Sequence, residues 1–249
     1  MILEEISMYL KEVGIYIKYL EKKEIIEKIM FENNCSYEEA IKIDYDVNWK
    51  WNKIRRFELE TRCIASMFER LLGKFKTADC SKINIMIVDD ITMEDISICL
   101  GIYTIQYKLD YNEFFIKSDE EKKKITLNMI RECIVKIVKE KKWDYEPFED
   151  TFNKITELEY NNFWMYKKTC KSPNKLYTGE VYFEHEVKEI KIYLVITNKH
   201  REIIKKKLII TELPDEYAYF RHIGELTWVS DTKFQMSDIT KEKVWGINL

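Results

Sequence analysis

Glycine and proline are scarce in this chain, six and three among 249 residues. Six scattered glycines cannot build a glycine-rich phosphate loop, a GxSxG nucleophile elbow or a dinucleotide fingerprint. The same scarcity leaves no material for long flexible linkers. The six cysteines (35, 63, 80, 99, 133 and 170) lie 17 to 37 residues apart with no CxxC pair. That spacing argues against a disulfide scaffold or a zinc ribbon. Cys63 and Cys133 fall in helical runs, where cysteine behaves as a small hydrophobe. No stretch approaches the 18 uninterrupted apolar residues of a membrane span. Met1-Ile2-Leu3-Glu4-Glu5 lacks the basic and apolar regions of a signal peptide. A reduced, cytoplasmic protein is therefore expected.

Neither sign of charge dominates. With 41 basic and 44 acidic residues the net charge is −3, which gives no general reason to expect nucleic acid or an anionic membrane as partner. The charges are uneven: residues 76–160 carry 13 basic and 18 acidic side chains, and residues 161–249 carry 15 and 12. At 46% hydrophobic and 34% charged residues, the chain has the composition of a folded protein of one large or two modest domains.

Leu3, Ile6, Leu10, Val13, Ile17 and Leu20 recur with 3-4-3-4-3 spacing, which predicts one stripe of a helix. The stripe continues less strictly through Ile25, Ile26, Ile29 and Met30 to a stop at Asn33-Asn34. Ser36-Tyr37-Glu38-Glu39 is a capping box for a short second helix, and a longer helical run spans about Lys53 to Phe75. Residues 1–75 thus read as a helical unit. Beyond it, Ile83, Ile85 and Ile87 mark a strand and Leu100–Asp110 a second. Ser118-Asp119-Glu120-Glu121 caps a helix to about Lys142, and Asp144-Tyr145-Glu146-Pro147 opens another. Strand-like runs then follow at Asn162–Thr169, Leu176–His185, Ile190–Thr197 and Glu202–Thr211, separated by turn residues. Leu226–Val229 and Lys233–Met236 suit a closing hairpin. The expected fold is α+β, with a helical N-terminal unit (1–75) packed beside a domain (76–249) of antiparallel meander and two helices.

Each candidate site has a structural reading beside a functional one. His185, His200 and His222 are the only histidines, and His185 lacks the HExxH pattern of a zinc protease. Asp89-Asp90 with Glu94 and Asp95 offers carboxylate oxygens for a hard cation, yet acidic strand ends are commonly just solvated. Glu189-Ile190-Lys191 matches the ExK half of a Mg²⁺-dependent nuclease motif, with Glu180 as a possible second carboxylate. Trp49-Lys50-Trp51 followed by Lys53, Arg55 and Arg56 interleaves rings and cations as single-strand binders do, but such tryptophans more often seat a helix on a core.

Ser118-Asp119-Glu120-Glu121-Lys122-Lys123 before a helix, Trp143-Asp144 before the next, Lys171-Ser172-Pro173-Asn174 between strands, and Gly224–Ser230 late in the chain form one succession. Over about residues 107–236 this succession resembles bacterial immunity proteins of the polymorphic-toxin type, which neutralise a toxin by binding it. The resemblance implies a non-enzymatic inhibitor with a protein partner and no cofactor or metal, and it carries no binding residue over. Aromatics at 14% fit the same reading, because Tyr and Trp are favoured interface anchors. If the toxin is basic, its inhibitor should offer an acidic, aromatic-studded surface. Asp110, Tyr111, Glu113 and Phe114, with Asp119 and Glu120 at the next helix start, are the expected surface. The alternatives are the nuclease built on Glu189 and Lys191 and a nucleic-acid-binding regulator working through Trp49–Arg56.

Overall fold

The computed structural model describes residues 8–249 and has an α+β fold. Leu3 and Ile6 of the N-terminal stripe lie outside the described residues. The compact units divide after Tyr160, giving residues 1–160 and 161–249 in place of the division at 75/76.

In the first unit the N-terminal stripe is corrected at once. Glu12–Ile17 (β2) is a strand, not a helix, preceded by Met8–Leu10 (β1). Val13, Ile15 and Ile17 face inward at period two, and this pattern wins over the 3-4-3 spacing because β2 pairs with a partner far along the chain. Helices Lys23–Asn33 (α1) and Tyr37–Asp44 (α2) follow, the first ending on Asn34 in the left-handed region and the second opened by the Ser36 capping box. An eleven-residue π-helix, Tyr45–Arg55, leads into Arg56–Leu72 (α3). Phe75–Thr77 (β3) pairs with β1. Lys82–Val88 (β4), Ser97–Cys99 (β5) and Ile102–Lys108 (β6) complete a four-stranded sheet in the order β2-β4-β6-β5. Within it β2, β4 and β6 are parallel and only β5 runs against them.

The register aligns three apolar rungs across the parallel strands: Val13–Ile83–Tyr103, Ile15–Ile85–Ile105 and Ile17–Ile87–Tyr107. Helix α3 packs on β2, and against Asp119–Lys141 (α5) and Glu146–Glu157 (α6), with the short Tyr111–Ile116 (α4) before them. Phe68 of α3 stacks on Phe148 at 6.4 Å and Phe152 at 5.3 Å, which ties α6 to the core. The capping box at Ser118 and the buried stripe of Leu127, Ile130, Ile134, Ile137 and Val138 stand where the sequence places them.

The second unit is antiparallel. Asn162–Met165 (β7), Thr178–His185 (β9), Ile190–Thr197 (β10) and Ile203–Glu212 (β11) form a sheet in the order β11-β10-β9-β7, with Cys170–Lys171 (β8) also on β9. After the short Glu216–Tyr219 (α7), strands Leu226–Ser230 (β12), Lys233–Ser237 (β13) and Val244–Asn248 (β14) make a second sheet. The predicted closing hairpin is therefore two strands of three. Val181, Phe183, Ile192, Leu194 and Ile196 of one sheet share a core with Leu226, Phe234, Met236 and Ile247 of the other.

Candidate functional site at the carboxyl end of the parallel strands

Parallel strands deliver their carboxyl ends to one edge of a sheet, and in open sheets of this kind that edge is where ligands and partners gather. Here β2 runs out into Lys18-Tyr19, β4 into Asp89-Asp90, and β6 into Leu109-Asp110-Tyr111. The ladder continues one step past the strands: Lys18 N–H donates to Ile87 O and Leu109 N–H to Val88 O, both at 3.3 Å. The position of the chain here is therefore set by backbone pairing.

The π-helix brings a second group of side chains to this edge. Extended π-helical runs are rare and often sit at functional sites. Asp44, the residue before it, is almost fully buried and accepts hydrogen bonds from Tyr19 Oη at 2.9 Å and Asn48 Nδ2 at 2.8 Å. Trp49 meets Tyr19 edge-to-face at 5.2 Å and lies 6.0 Å from Tyr111. Lys53 Nζ stands 4.0 Å above the Trp49 ring and 5.8 Å from that of Tyr111. Burial, reinforced by the Lys22 charge, lowers the Lys53 pKa against the opposing pull of Asp44 and Asp89. Burial and the hydrogen bond to Asp44 push the Tyr19 phenol well up. Burial raises Tyr111 too, helped by Asp89 and Asp110.

In front of this aromatic group stand carboxylates. Asp89, Asp90, Asp110 and Glu113 are exposed. Asp90 pairs with Lys108 at 2.7 Å, and Asp110 caps α4 by accepting from the N–H groups of Asn112 and Glu113. The loop after β4 is pinned by the buried Gln106, whose Oε1 accepts from the backbone of Thr92 (2.7 Å) and Met93 (3.0 Å). The result is an acidic rim on a rigid base. Among the described residues it contains no activated nucleophile–base pair, because Asp44 is engaged by Tyr19 and Asn48 and Lys53 lies over a ring.

The expected partner-binding residues divide here. Asp110 and Glu113 belong to the rim, but Tyr111 and Phe114 are buried in the core, so they cannot be surface anchors. Their burial follows from the helical turn that puts positions 111 and 114 on one face of α4. Asp119 and Glu120 occupy the first turn of α5, where Glu120 pairs with Lys124 and both charges complement the helix dipole.

The other candidates are dispersed. Asp89, Asp90, Glu94 and Asp95 form no metal-holding cluster among the described residues. Trp49 is buried while Trp51 is 64% exposed, so the two rings do not form one stacking platform. Arg55 pairs with Glu58 and Arg56 with Glu60. His185 is buried beside Trp164 and Tyr219, His200 lies exposed in the β10–β11 turn, and His222 meets Glu212 at 3.2 Å. Lys191 pairs with Glu189 at 2.8 Å. Glu180 is opposite Val195, four residues along β10 from Lys191, or about 13 Å at roughly 3.3 Å per residue. The two carboxylates of the nuclease reading thus do not share a site. Sequence reasoning missed Tyr19 and Asp44 and took Lys53 only as part of a nucleic-acid-binding stretch; the only local signal was the i,i+4 spacing of Asp44 to Asn48 and of Trp49 to Lys53.

Comparison of the chain with models of known protein families, with curated proteins and with solved structures finds no match.

Proposed function

We propose that this chain is a non-enzymatic protein-binding protein of the immunity type, an inhibitor that holds a basic toxin through the acidic rim of its first unit. The observation that carries the reading is the rim itself. Asp89, Asp90 and Asp110 are exposed and follow strands whose register is fixed by the ladder behind them, and Glu113 is exposed in the first turn of α4. Charges held on a rigid base steer a partner of opposite sign and add specificity more than raw affinity. Aromatic anchoring contributes less than the composition suggests, since Tyr111 and Phe114 support the rim from within.

The test is co-expression with each protein encoded beside this chain, scored by growth rescue and by a stable purified complex. Reversal of Asp89, Asp90 and Glu113 to Lys should slow association at least about tenfold at low salt and flatten its salt dependence. A complex formed at the same rate by the triple variant would remove the rim from the interface. Failure of every neighbouring product to bind would overturn the inhibitor reading itself.

A further inference from the structure

Strand β11 closes the second unit's larger sheet with ten residues, and among the described residues only β10 pairs with it. An edge strand carries a row of peptide groups free to accept another strand. Such an edge is usually short, bulged or covered. This one is interrupted by two register shifts, yet it is long, and every residue from Ile203 to Leu208 is exposed, including Ile203 at 52%, Ile204 at 49% and Leu208 at 45%.

Register shifts fall at Ile204 and Ile209, leaving Lys205–Leu208 in regular pairing with Tyr193–Ile196 between them. Two of the three lysines in that window turn away from the edge, to opposite faces of the sheet. Lys206 Nζ meets Glu184 at 2.6 Å and lies over the rings of Tyr182 and Tyr193, while Lys207 Nζ donates to Gly246 O at 2.8 Å. Lys205 makes no ion pair among the described residues. With Lys199 and Arg201 in the preceding turn, residues 199–207 hold five cations against the single carboxylate of Glu202.

This charge decides what can pair here. A second copy of the chain aligned antiparallel about Lys206 would set Lys205 against Lys207 and Lys206 against itself, and like charges directly opposite are destabilising. A strand of alternating acidic and apolar residues meets the opposite situation: its carboxylates lie on the face of Lys205 and Lys207, and its apolar side chains on the other face, with Ile203 and Leu208. We infer that the exposed edge of β11 is a strand-addition site for an extended acidic segment of a partner protein. The site lies on the second unit and is independent of the acidic rim, so either can fail without the other.

The probe is a blocked ten-residue peptide alternating glutamate and valine, added to the full chain, with amide hydrogen exchange as readout. Protection should rise at least about tenfold at residues 203–208, and the effect should weaken as salt screens the lysines. Charge reversal with Lys205→Glu and Lys207→Glu should abolish it, with an unchanged circular dichroism spectrum showing that the fold persists. The same peptide N-methylated on alternate residues keeps its charge but cannot complete a ladder, and should give no protection. Equal protection by the N-methylated peptide, or by one with lysine in place of glutamate, would overturn strand addition. Protection of 203–208 by a single-stranded oligonucleotide but not by the peptide would replace it with polyanion binding. Concentration-dependent dimerisation through β11 without peptide would also overturn it.

Discussion

The two units solve the same problem, covering one face of a sheet, by opposite routes. In the first, parallel strands separated by up to 64 residues of largely helical chain must find one another, and they do so with in-register apolar rungs. In the second, neighbouring strands fold back on one another through short turns. The charge differs as well: residues 1–160 carry 26 basic and 32 acidic side chains, and residues 161–249 carry 15 and 12. Non-local pairing leaves its strand carboxyl ends free to display acidic groups, whereas the meander leaves a long edge defended by lysine. One fold class has produced two surfaces of opposite sign.

The largest expected effect breaks the first unit from inside. Lys122, on α5 and 2% exposed, lies 2.7 Å from Glu60 of α3, which also takes Arg56 Nε at 2.7 Å. Glu60→Ala leaves the Lys122 ammonium buried without its carboxylate and should cost about 3–5 kcal/mol by chemical denaturation. Glu60→Met with Lys122→Met should recover most of that loss, because an apolar pair of similar volume carries no buried charge. A single variant as stable as the parent would mean that the ammonium escapes to water.

The matching test in the second unit is steric. A Cβ on Gly179 of β9 would lie 2.4 Å from the Phe234 ring, so Gly179→Ala should cost about 1–3 kcal/mol. Phe234→Leu should be destabilising alone yet partly relieve the alanine variant. Additive losses would show that the backbone, not the ring, sets the requirement for glycine.

These two contacts also mark what was legible. The runs that became β9, β10 and β11 and the capping boxes at Ser36 and Ser118 are local, so short windows of sequence contain their whole signal. Strand β2 was hidden because Leu10, Val13 and Ile17 suit a helix as well as Val13, Ile15 and Ile17 suit a strand, and β4 decides between them from about seventy residues away. Strand β14 was hidden because Val244–Asn248 is short, carries Gly246 in its middle and lacks clean alternation. At the candidate site Asp110 and Glu113 were legible as acidic residues at a helix start, but the burial of Tyr111 and Phe114 depends on the core behind them. Likewise Tyr19 meets Asp44 across 25 residues, which no local pattern encodes.

Alkali should affect the first unit through its buried thiols. Burial, then the Glu132 charge, pushes Cys133 up to about 12 from an ordinary 9.0, and burial raises Cys80 to about 11. Both thiols stay protonated in the folded chain while the unfolded chain releases their protons above pH 9.0. Their contribution is complete below that pH and is lost as pH rises toward the folded values, by at most about 1.4 kcal/mol per pH unit for each group. Denaturation midpoints measured between pH 8 and 9.5, below the ordinary tyrosine value of 10.0, should fall more steeply in the parent than in the Cys80→Ala/Cys133→Ala variant. An identical fall in both would assign the alkaline loss to other groups.

The smallest effect separates structure from chemistry in the second unit. Lys191 and Glu189 are about one-third and two-fifths exposed, and their 2.8 Å contact raises the lysine pKa through the hydrogen bond and the adjacent negative charge. Exposed pairs of this kind contribute little to stability, so Lys191→Ala should shift the denaturation midpoint only slightly. A nuclease would respond quite differently, because the lysine of its ExK motif acts on the attacking water beside a shared metal ion. Here Glu180 is opposite Val195 and holds the Thr197 hydroxyl at 2.9 Å, while Glu184, directly across from Lys191, is taken by Lys206 and Tyr193. The full chain incubated with DNA or RNA and Mg²⁺ or Mn²⁺ should therefore leave both intact, with or without Lys191. Cleavage by the parent that disappears in Lys191→Ala would overturn the non-enzymatic reading, whatever the acidic rim binds.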